Sequence, residues 1–198
     1  MRRQRNLLGP QGMGGMVSLS GASSLIQSAQ KATLDCGASA LTGTATITAV
    51  NVNNTILLRE SVYSNFTTAI AGNATKARVT LTNATTLTAT TQSISGTDVN
   101  QIVYVIEFVP GVLKSVQYGT VLCSNAASSG TTTITQVTIN KSLLLFLGDS
   151  TDAAGAWSGL DQRHMNATQI LNTDVQIRAN RPGTSWDLYN GFCVAEFF

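Results

Sequence analysis

Residues 26–58, IQSAQKATLDCGASALTGTATITAVNVNNTILL, can be laid without a gap over residues 113–145, LKSVQYGTVLCSNAASSGTTTITQVTINKSLLL. Each residue of the first stretch corresponds to the residue numbered 87 higher, so Cys36 falls on Cys123. A second match joins Val103–Phe108 (VYVIEF) to Phe192–Phe197 (FCVAEF) at an offset of 89. The sequence therefore predicts two copies of one structural unit.

The boundaries of the two copies follow from these matches. Pro110 and Gly111 stand where the first copy ends and the second begins, as expected of a turn. We expect one β-domain over residues 25–110 and another over 111–198, preceded by an N-terminal arm of residues 1–24. The arm is rich in glycine and carries three of the twelve basic residues, which leaves nine against ten acidic residues in the remainder.

Apolar side chains recur at every second position within each copy, a pattern typical of half-buried strands. Ala45, Ile47 and Ala49 alternate with threonines. A similar alternation on both sides of Asn83-Ala84 predicts a hairpin. The closing segment 102–108 is largely apolar at both alternating sets of positions, which predicts a central strand. The corresponding strands of the second copy are predicted at Thr133–Val137, Leu143–Leu147, Val175–Ile177 and Phe192–Phe197.

Composition agrees with a β fold. Hydrophobic residues make up 43% of the 198 residues, enough for a packed core, whereas charged residues make up 11%, against roughly 25% in an ordinary domain. Abundant threonine and valine favour strands over helices. We predict an all-β fold of two tandem small antiparallel β-sandwich or jelly-roll-like domains. Since no apolar run has the length of a membrane span or signal peptide, we expect neither export by a signal peptide nor membrane insertion.

Six segments carry a resemblance to a known group of proteins. They are LKSVQYGT (113–120), TATITAV (44–50), LLLFLG (143–148), LTNATTLTAT (81–90), VIEF (105–108) and VAEF (194–197). In this order they resemble the repeating unit of tandem-repeat virion proteins of tailed bacteriophages, and two copies cover residues 25–198. The copies depart from each other after the third segment, where the first has Arg59-Glu60-Ser61 and the second has an insertion around Trp157 and His164.

The resemblance implies a non-enzymatic structural component of a tailed-phage virion. We expect it at the tail or neck, as a fibre, collar or baseplate protein anchored by its arm. Two alternatives remain open: a capsid decoration protein or head fibre, and a receptor- or carbohydrate-binding adhesin. The expected partners are other virion proteins of the portal, neck, tail or capsid, together with further copies of the chain in a homo-oligomer.

The candidate contact residues lie in the arm and in the predicted loops 59–77 and 148–170, where the copies differ. In the arm they are basic or apolar: Arg2, Arg3, Arg5, Leu7 and Leu8. In the second loop they are Trp157 and His164. Because three arginines without a continuing basic stripe are a weak electrostatic footprint, we do not expect nucleic-acid binding.

Several other residues are of types used in catalysis or metal binding, but we interpret them as structural. His164 is the single histidine and no G-x-S-x-G elbow accompanies it, so we predict no catalytic residue. The aspartates at 149, 152 and 161 lack the spacing of a calcium loop and are predicted to form turns, so we expect no metal and no cofactor. Glu107 and Glu196 are interpreted as structural hydrogen-bonding groups or edge charges. Three scattered cysteines indicate small buried residues, or at most one disulfide.

Aromatic residues leave two interpretations open. Tyr118, Trp157, Trp186 and Tyr189 could stack on sugars, as in an adhesin, or could lie at core edges and subunit contacts.

Overall fold

A computed structural model of the chain describes residues 24–37, 40–64, 76–92, 99–151, 168–180 and 187–198. The strands of the first repeat are β1 (Ile26–Cys36), β2 (Thr42–Thr46), β3 (Thr55–Ser64), β4 (Arg78–Asn83), β5 (Thr86–Thr90) and β6 (Val99–Phe108). The strands of the second are β7 (Leu113–Cys123), β8 (Ser129–Thr133), β9 (Ser142–Thr151), β10 (Thr168–Thr173), β11 (Gln176–Asn180) and β12 (Leu188–Phe197). Short 3₁₀ helices, Val52–Asn54 and Ile139–Lys141, precede β3 and β9.

Each repeat has one sheet of long strands and one of short strands, and every strand pairs antiparallel with its neighbours. The long sheets have the orders β1-β6-β3 and β7-β12-β9, and the short sheets have the orders β2-β5-β4 and β10-β11-β8. The prediction of an all-β fold with small antiparallel sandwich-like units is confirmed. The closing strands are central as predicted, and β4 and β5 form the predicted hairpin.

The strands of the two repeats correspond one to one. The first three strands of the second repeat begin 87 residues after their counterparts, β10 and β11 begin 90 residues after theirs, and β12 begins 89 residues after β6. The length difference between the copies therefore lies in the connections on either side of the β4–β5 and β10–β11 hairpins.

The core of the first repeat lies between its two sheets. Alternate residues of β6, from Val99 through Val103 and Val105 to Glu107, are buried on the inner face, whereas the intervening residues are half-buried on the outer face. Leu34 and Leu87 are fully buried against this inner face. In each repeat, the outer face is the side of the long sheet that points away from the repeat's own short sheet.

The strand predicted from the alternation of Ala45, Ile47 and Ala49 is wrong in its extent. β2 ends at Thr46, and in the segment that follows Ile47 and Val50 are buried while Ala49 is exposed. The second repeat shows the same departure, because β8 ends at Thr133 and the predicted strand to 137 is not formed. Val175, predicted to start a strand, lies in the turn before β11 and is 40% exposed.

The physical reason for the early end of β2 is a side chain of β1. The amide of Gln30 accepts a hydrogen bond from the backbone N–H of Thr48 at 2.8 Å and donates one to the Thr48 carbonyl at 3.0 Å. Gln117 makes the same two bonds to Thr135, at 2.7 and 2.9 Å. Because these backbone groups are already satisfied, they do not continue the ladder to a neighbouring strand.

The predicted loops are shorter than expected. β3 extends to Ser64 and β9 to Thr151, so the first residues of the ranges 59–77 and 148–170 belong to strands. Within the part of the chain described above, no helix has the length and hydrophobicity to cross a bilayer.

Candidate functional site

A buried glutamate near the end of each closing strand ties three segments of its repeat together. Glu107 accepts hydrogen bonds from the Ser28 hydroxyl at 3.0 Å and from the backbone N–H of Asn51 at 2.8 Å. Glu196 accepts the equivalent bonds from Ser115 at 3.3 Å and from Thr138 at 2.9 Å. The sequence left open whether these two glutamates are structural hydrogen-bonding groups or edge charges. Their contacts are those of structural hydrogen-bonding groups.

The two glutamates differ in one partner. Lys114 donates to Glu196 at 2.8 Å, and this bond is the main reason that the pKa of Glu196 is lowered to about 2. The bond from Thr138 lowers the pKa further, whereas burial opposes the shift. In the first repeat Gln27 stands at the position of Lys114. The second repeat therefore uses a charge where the first uses a neutral residue.

The two repeats contact each other through non-equivalent surfaces. The first repeat contributes the edge formed by β3, β4 and the 3₁₀ helix Val52–Asn54, and the second contributes the outer face of its long sheet. Alternate residues of β12 show this division. Val194 packs in the core of the second repeat, whereas Cys193 and Ala195 pack in the core cluster of the first. The central part of the outer face of the second long sheet is thus buried.

Polar contacts to the backbone of β3 fix this interface. The Tyr118 hydroxyl donates to the carbonyl of Thr55 at 2.7 Å, and the thiol of Cys193 is hydrogen-bonded to Tyr118 and to the backbone of Leu57. Burial raises the pKa of Cys193 to about 12 and raises that of Tyr118 above its usual value. Both groups therefore stay protonated at neutral pH.

Charged residues of the first repeat are buried at the same interface. Lys76 forms an ion pair with Asp149, with 13% and 9% of the two side chains exposed. Arg59 donates to Gln101 at 2.7 Å, and its guanidinium lies 6.0 Å from the centre of the Phe146 ring. This arrangement places a cation from the edge of one repeat against an aromatic ring and a carboxylate of the other.

Arg78 is the third such cation. It donates to the hydroxyl of Ser150, and its guanidinium lies 5.2 Å from the centre of the Tyr189 ring. Burial lowers the pKa of Arg78, of Arg59 and of Lys76, and nearby Asp149 opposes this effect at the last two.

Two glycines allow the backbones of the repeats to approach closely. A Cβ atom on Gly148 would lie 2.4 Å from the Ala77 carbonyl oxygen, and one on Gly191 would lie 3.1 Å from the Cβ of Arg78. Beside them, a cavity of about 240 Å³ opens between the repeats. Its polar lining comes mainly from Arg78, Thr80 and Thr90 of the first repeat and from Tyr118 and Thr120 of the second.

The structure tests several of the sequence predictions about single residues. The three cysteines are buried and free. Asp149 lies in β9 and pairs with Lys76, so its predicted place in a turn is wrong. Of the aromatic residues, Tyr118 and Tyr189 lie at the contact between the repeats. Among the described residues, no group of three or more potential ligands is placed to hold a metal ion.

The candidate contact residues of the arm and of the second loop lie outside the described residues. These are Arg2, Arg3, Arg5, Leu7, Leu8, Trp157 and His164. Sequence reasoning missed Arg59, Lys76 and Arg78, because charged residues beside polar ones look like ordinary surface residues. The signal that identifies the interface is the replacement of Tyr104 and Ile106 by the smaller Cys193 and Ala195 at equivalent places.

The fold and the interface define an all-β protein of two sandwich-like repeats in tandem. Comparison of the chain with protein-family models, with curated proteins and with solved structures found no match.

Proposed function

We propose that this protein is a non-enzymatic structural component of a tailed-phage virion, placed at the tail or neck as a fibre, collar or baseplate protein. The observation that carries the proposal is the buried interface, which joins two β-domains into one body through Tyr118, Cys193 and the Lys76–Asp149 pair. Such a body transmits force and presents surface, and it needs no reactive group. The segments that resemble phage tandem repeats supply the assignment to a virion.

The use of polar residues in the described part of the chain supports the same proposal. Glu107, Glu196, Gln30 and Gln117 hold strand connections by hydrogen bonds to backbone N–H groups, and they do so identically in both repeats. A side chain that pairs with a backbone N–H group outside the strand ladders contributes to stability and holds that segment in place. The function of the protein is therefore adhesion between proteins by a rigid scaffold.

The arm is the proposed anchor. Deleting residues 1–15 is expected to leave both repeats folded, because the first strand among the described residues begins at Ile26. The same deletion is expected to abolish incorporation into phage particles, which quantitative immunoblotting of purified particles measures. Replacing Arg2, Arg3 and Arg5 together by lysine keeps the charge and serves as the matched control, for which we expect normal incorporation. Finding the truncated chain at normal copy number in particles would refute the anchor.

The location in the particle distinguishes tail or neck from capsid. Electron microscopy of particles in which this chain carries a gold label at its C-terminal residue, Phe198, which is 69% exposed, makes that distinction. Label at the tail or neck supports the proposal. Label distributed over the head would instead support the decoration protein or head fibre.

A further inference from the structure

The interface between the repeats is heterologous, since an edge of the first repeat docks on a face of the second. Because the repeats share one fold, each has both surfaces but uses one of them in this contact. The first repeat keeps an outer face, and the second keeps an edge. We call these surfaces the open face, the outer face of the sheet β1-β6-β3, and the open edge, formed by β9, β10 and the 3₁₀ helix Ile139–Lys141.

Burial shows that the open face lacks the cover that its counterpart has. Cys193 and Ala195 are completely buried by the first repeat, whereas the equivalent Tyr104 and Ile106 are half-buried. Leu58, on the same face, is 37% exposed. Only one end of this face is covered by the described part of the chain, where Ile56 is buried and Phe108 contacts Phe197 of the second repeat.

The open edge shows the complementary difference. Thr55 and Leu57 in the edge of the first repeat are completely buried, whereas the equivalent Ser142 and Leu144 are half-buried. Ile139, in the 3₁₀ helix of the second repeat, is 49% exposed, against 37% for the equivalent Val52 of the first repeat. Its counterpart helix in the first repeat contacts β7 across the interface. Apolar groups that the internal contact protects in one repeat are thus accessible in the other.

The residues that differ between the repeats make the two open surfaces fit each other. In the internal contact, Arg59 of the edge faces a surface that carries Asp149. At the open edge Phe146 replaces Arg59. The Phe146 ring lies 6.0 Å from the guanidinium of Arg59 in the internal contact and is still 42% exposed. At the open face Ile102 and Tyr104 replace Gly191 and Cys193. A charged edge therefore meets a face with a carboxylate inside the chain. A largely apolar edge is left over together with a face on which Ile102, Tyr104 and Leu58 lie beside Lys31, whose ammonium group is 5.7 Å from the centre of the Tyr104 ring.

We propose that a second copy of this chain occupies the open face, and that it does so with its open edge, so that copies associate head to tail as the repeats do. The internal interface provides the template for this contact. At the open face Ile102 has a side chain where the equivalent Gly191 has none. The contact between copies is therefore formed by side chains rather than by closely spaced backbones. Neighbouring copies are consequently further apart than the two repeats within one chain. A heterologous contact of this kind generates a ring or an open helical filament. This inference concerns self-association and does not depend on a place in a virion.

Two substitutions separate the surfaces for a test with the full chain. Tyr104→Arg places a charge on the open face, and Ile139→Glu places one on the open edge. Leu122→Glu is the control, because Leu122 is an exposed apolar residue, at 42%, that lies on β7, outside both surfaces. Circular dichroism and thermal unfolding check that all three variants are folded.

Sedimentation velocity over a range of concentrations gives the mass of each species. We expect the unaltered chain and Leu122→Glu to exceed the mass of one chain, 20.8 kDa, increasingly with concentration. Tyr104→Arg and Ile139→Glu should each remain monomeric. An equimolar mixture of these two should form dimers and nothing larger, because the intact edge of the first fits the intact face of the second.

Three results would overturn the proposal. They are a monomeric unaltered chain at all concentrations, self-association unchanged in both variants, and a mixture of the two variants that stays monomeric. The last result would indicate that copies associate through identical surfaces. In that case mixing the two variants does not bring an intact face together with an intact edge. A filament or ring of the unaltered chain would be visible by negative-stain electron microscopy.

Discussion

Single residues of this protein show how one fold accommodates different electrostatics at equivalent places. Glu107 and Glu196 accept the same bonds from a serine and a backbone N–H, but only Glu196 has a lysine beside it. The carboxylate of Glu196 is almost inaccessible, while half of the Lys114 side chain is exposed. The ion pair is therefore open to screening by salt at its cationic end.

The lowered pKa of Glu196 predicts how stability depends on pH. A carboxyl whose pKa falls from 4.5 when unfolded to about 2 when folded stabilises the protein fully above about pH 4.5. That contribution is lost as the pH falls through about 2. We expect Glu196→Gln to lower the unfolding midpoint in urea at pH 7, and the difference from the unaltered chain to narrow between pH 4.5 and 2.

Lys114→Ala provides the control for this prediction. It should raise the pKa of Glu196, as measured by NMR titration of the side-chain carboxyl, while the bond from Thr138 keeps the pKa below the unfolded value. A difference between Glu196→Gln and the unaltered chain that stays constant down to pH 2 would contradict the assignment.

At the scale of strands, the same element serves two purposes in the two repeats. β3 and β9 each carry a bulge in their pairing with the central strand. In β3 the bulge lies between Arg59 and Ser61, and in β9 it lies between Phe146 and Asp149. In β9 this irregularity brings Gly148, with a φ of 95°, against Ala77 of the first repeat. A bulge that bends one strand thus creates the closest approach between the repeats.

Gly148→Ala is expected to destabilise the protein by two separable effects. The positive φ costs an alanine roughly 1–2 kcal/mol, and the overlap with the Ala77 carbonyl adds about 1–3 kcal/mol. Gly111→Ala is the matched control, because Gly111 has a φ of 89° and nothing lies within 4 Å of the added Cβ. Urea unfolding should show a clearly larger loss for Gly148→Ala, and equal losses would show that the close approach is unimportant.

The sequence was sufficient to predict the all-β fold, the central position of β6 and β12 and the hairpin at Asn83, since alternation and internal repetition report burial directly. It was insufficient at residues 47–50, where Gln30 takes the backbone bonds that a strand would use. It also missed the interface, because the partners of Lys76 lie 73 residues away. Long-range pairing of that kind leaves no periodic trace in the chain.

At the scale of the whole molecule, the continuous core couples the repeats. The hydrophobic cluster of the first repeat includes Leu113, Leu147, Cys193 and Ala195 of the second. A cluster shared in this way makes the loss of one repeat expose part of the core of the other. The two repeats are therefore expected to stabilise each other, and the charged residues between them decide how strongly.

The ion pair between Lys76 and Asp149 allows that coupling to be measured. Since both side chains are nearly buried, removing one partner leaves a nearly buried charge without its ion-pair partner, and we expect Lys76→Met or Asp149→Leu to cost about 3–5 kcal/mol. The double variant should recover most of this loss, because it buries no charge. A double-mutant cycle from urea unfolding gives the coupling energy.

The exposed pair Lys31–Glu60 is the internal control, with 53% and 46% of its side chains exposed and 3.8 Å between its charged atoms. Its cycle should give a coupling energy of about 0–1 kcal/mol, because water screens it.

If the repeats act as one body, the large coupling energy of Lys76 and Asp149 must appear in the stability of both. Hydrogen exchange at the amides of β6 and β12 would then show equal losses of protection in Lys76→Met, since each strand belongs to a different repeat. Loss of protection in β6 alone would mean that the repeats unfold independently.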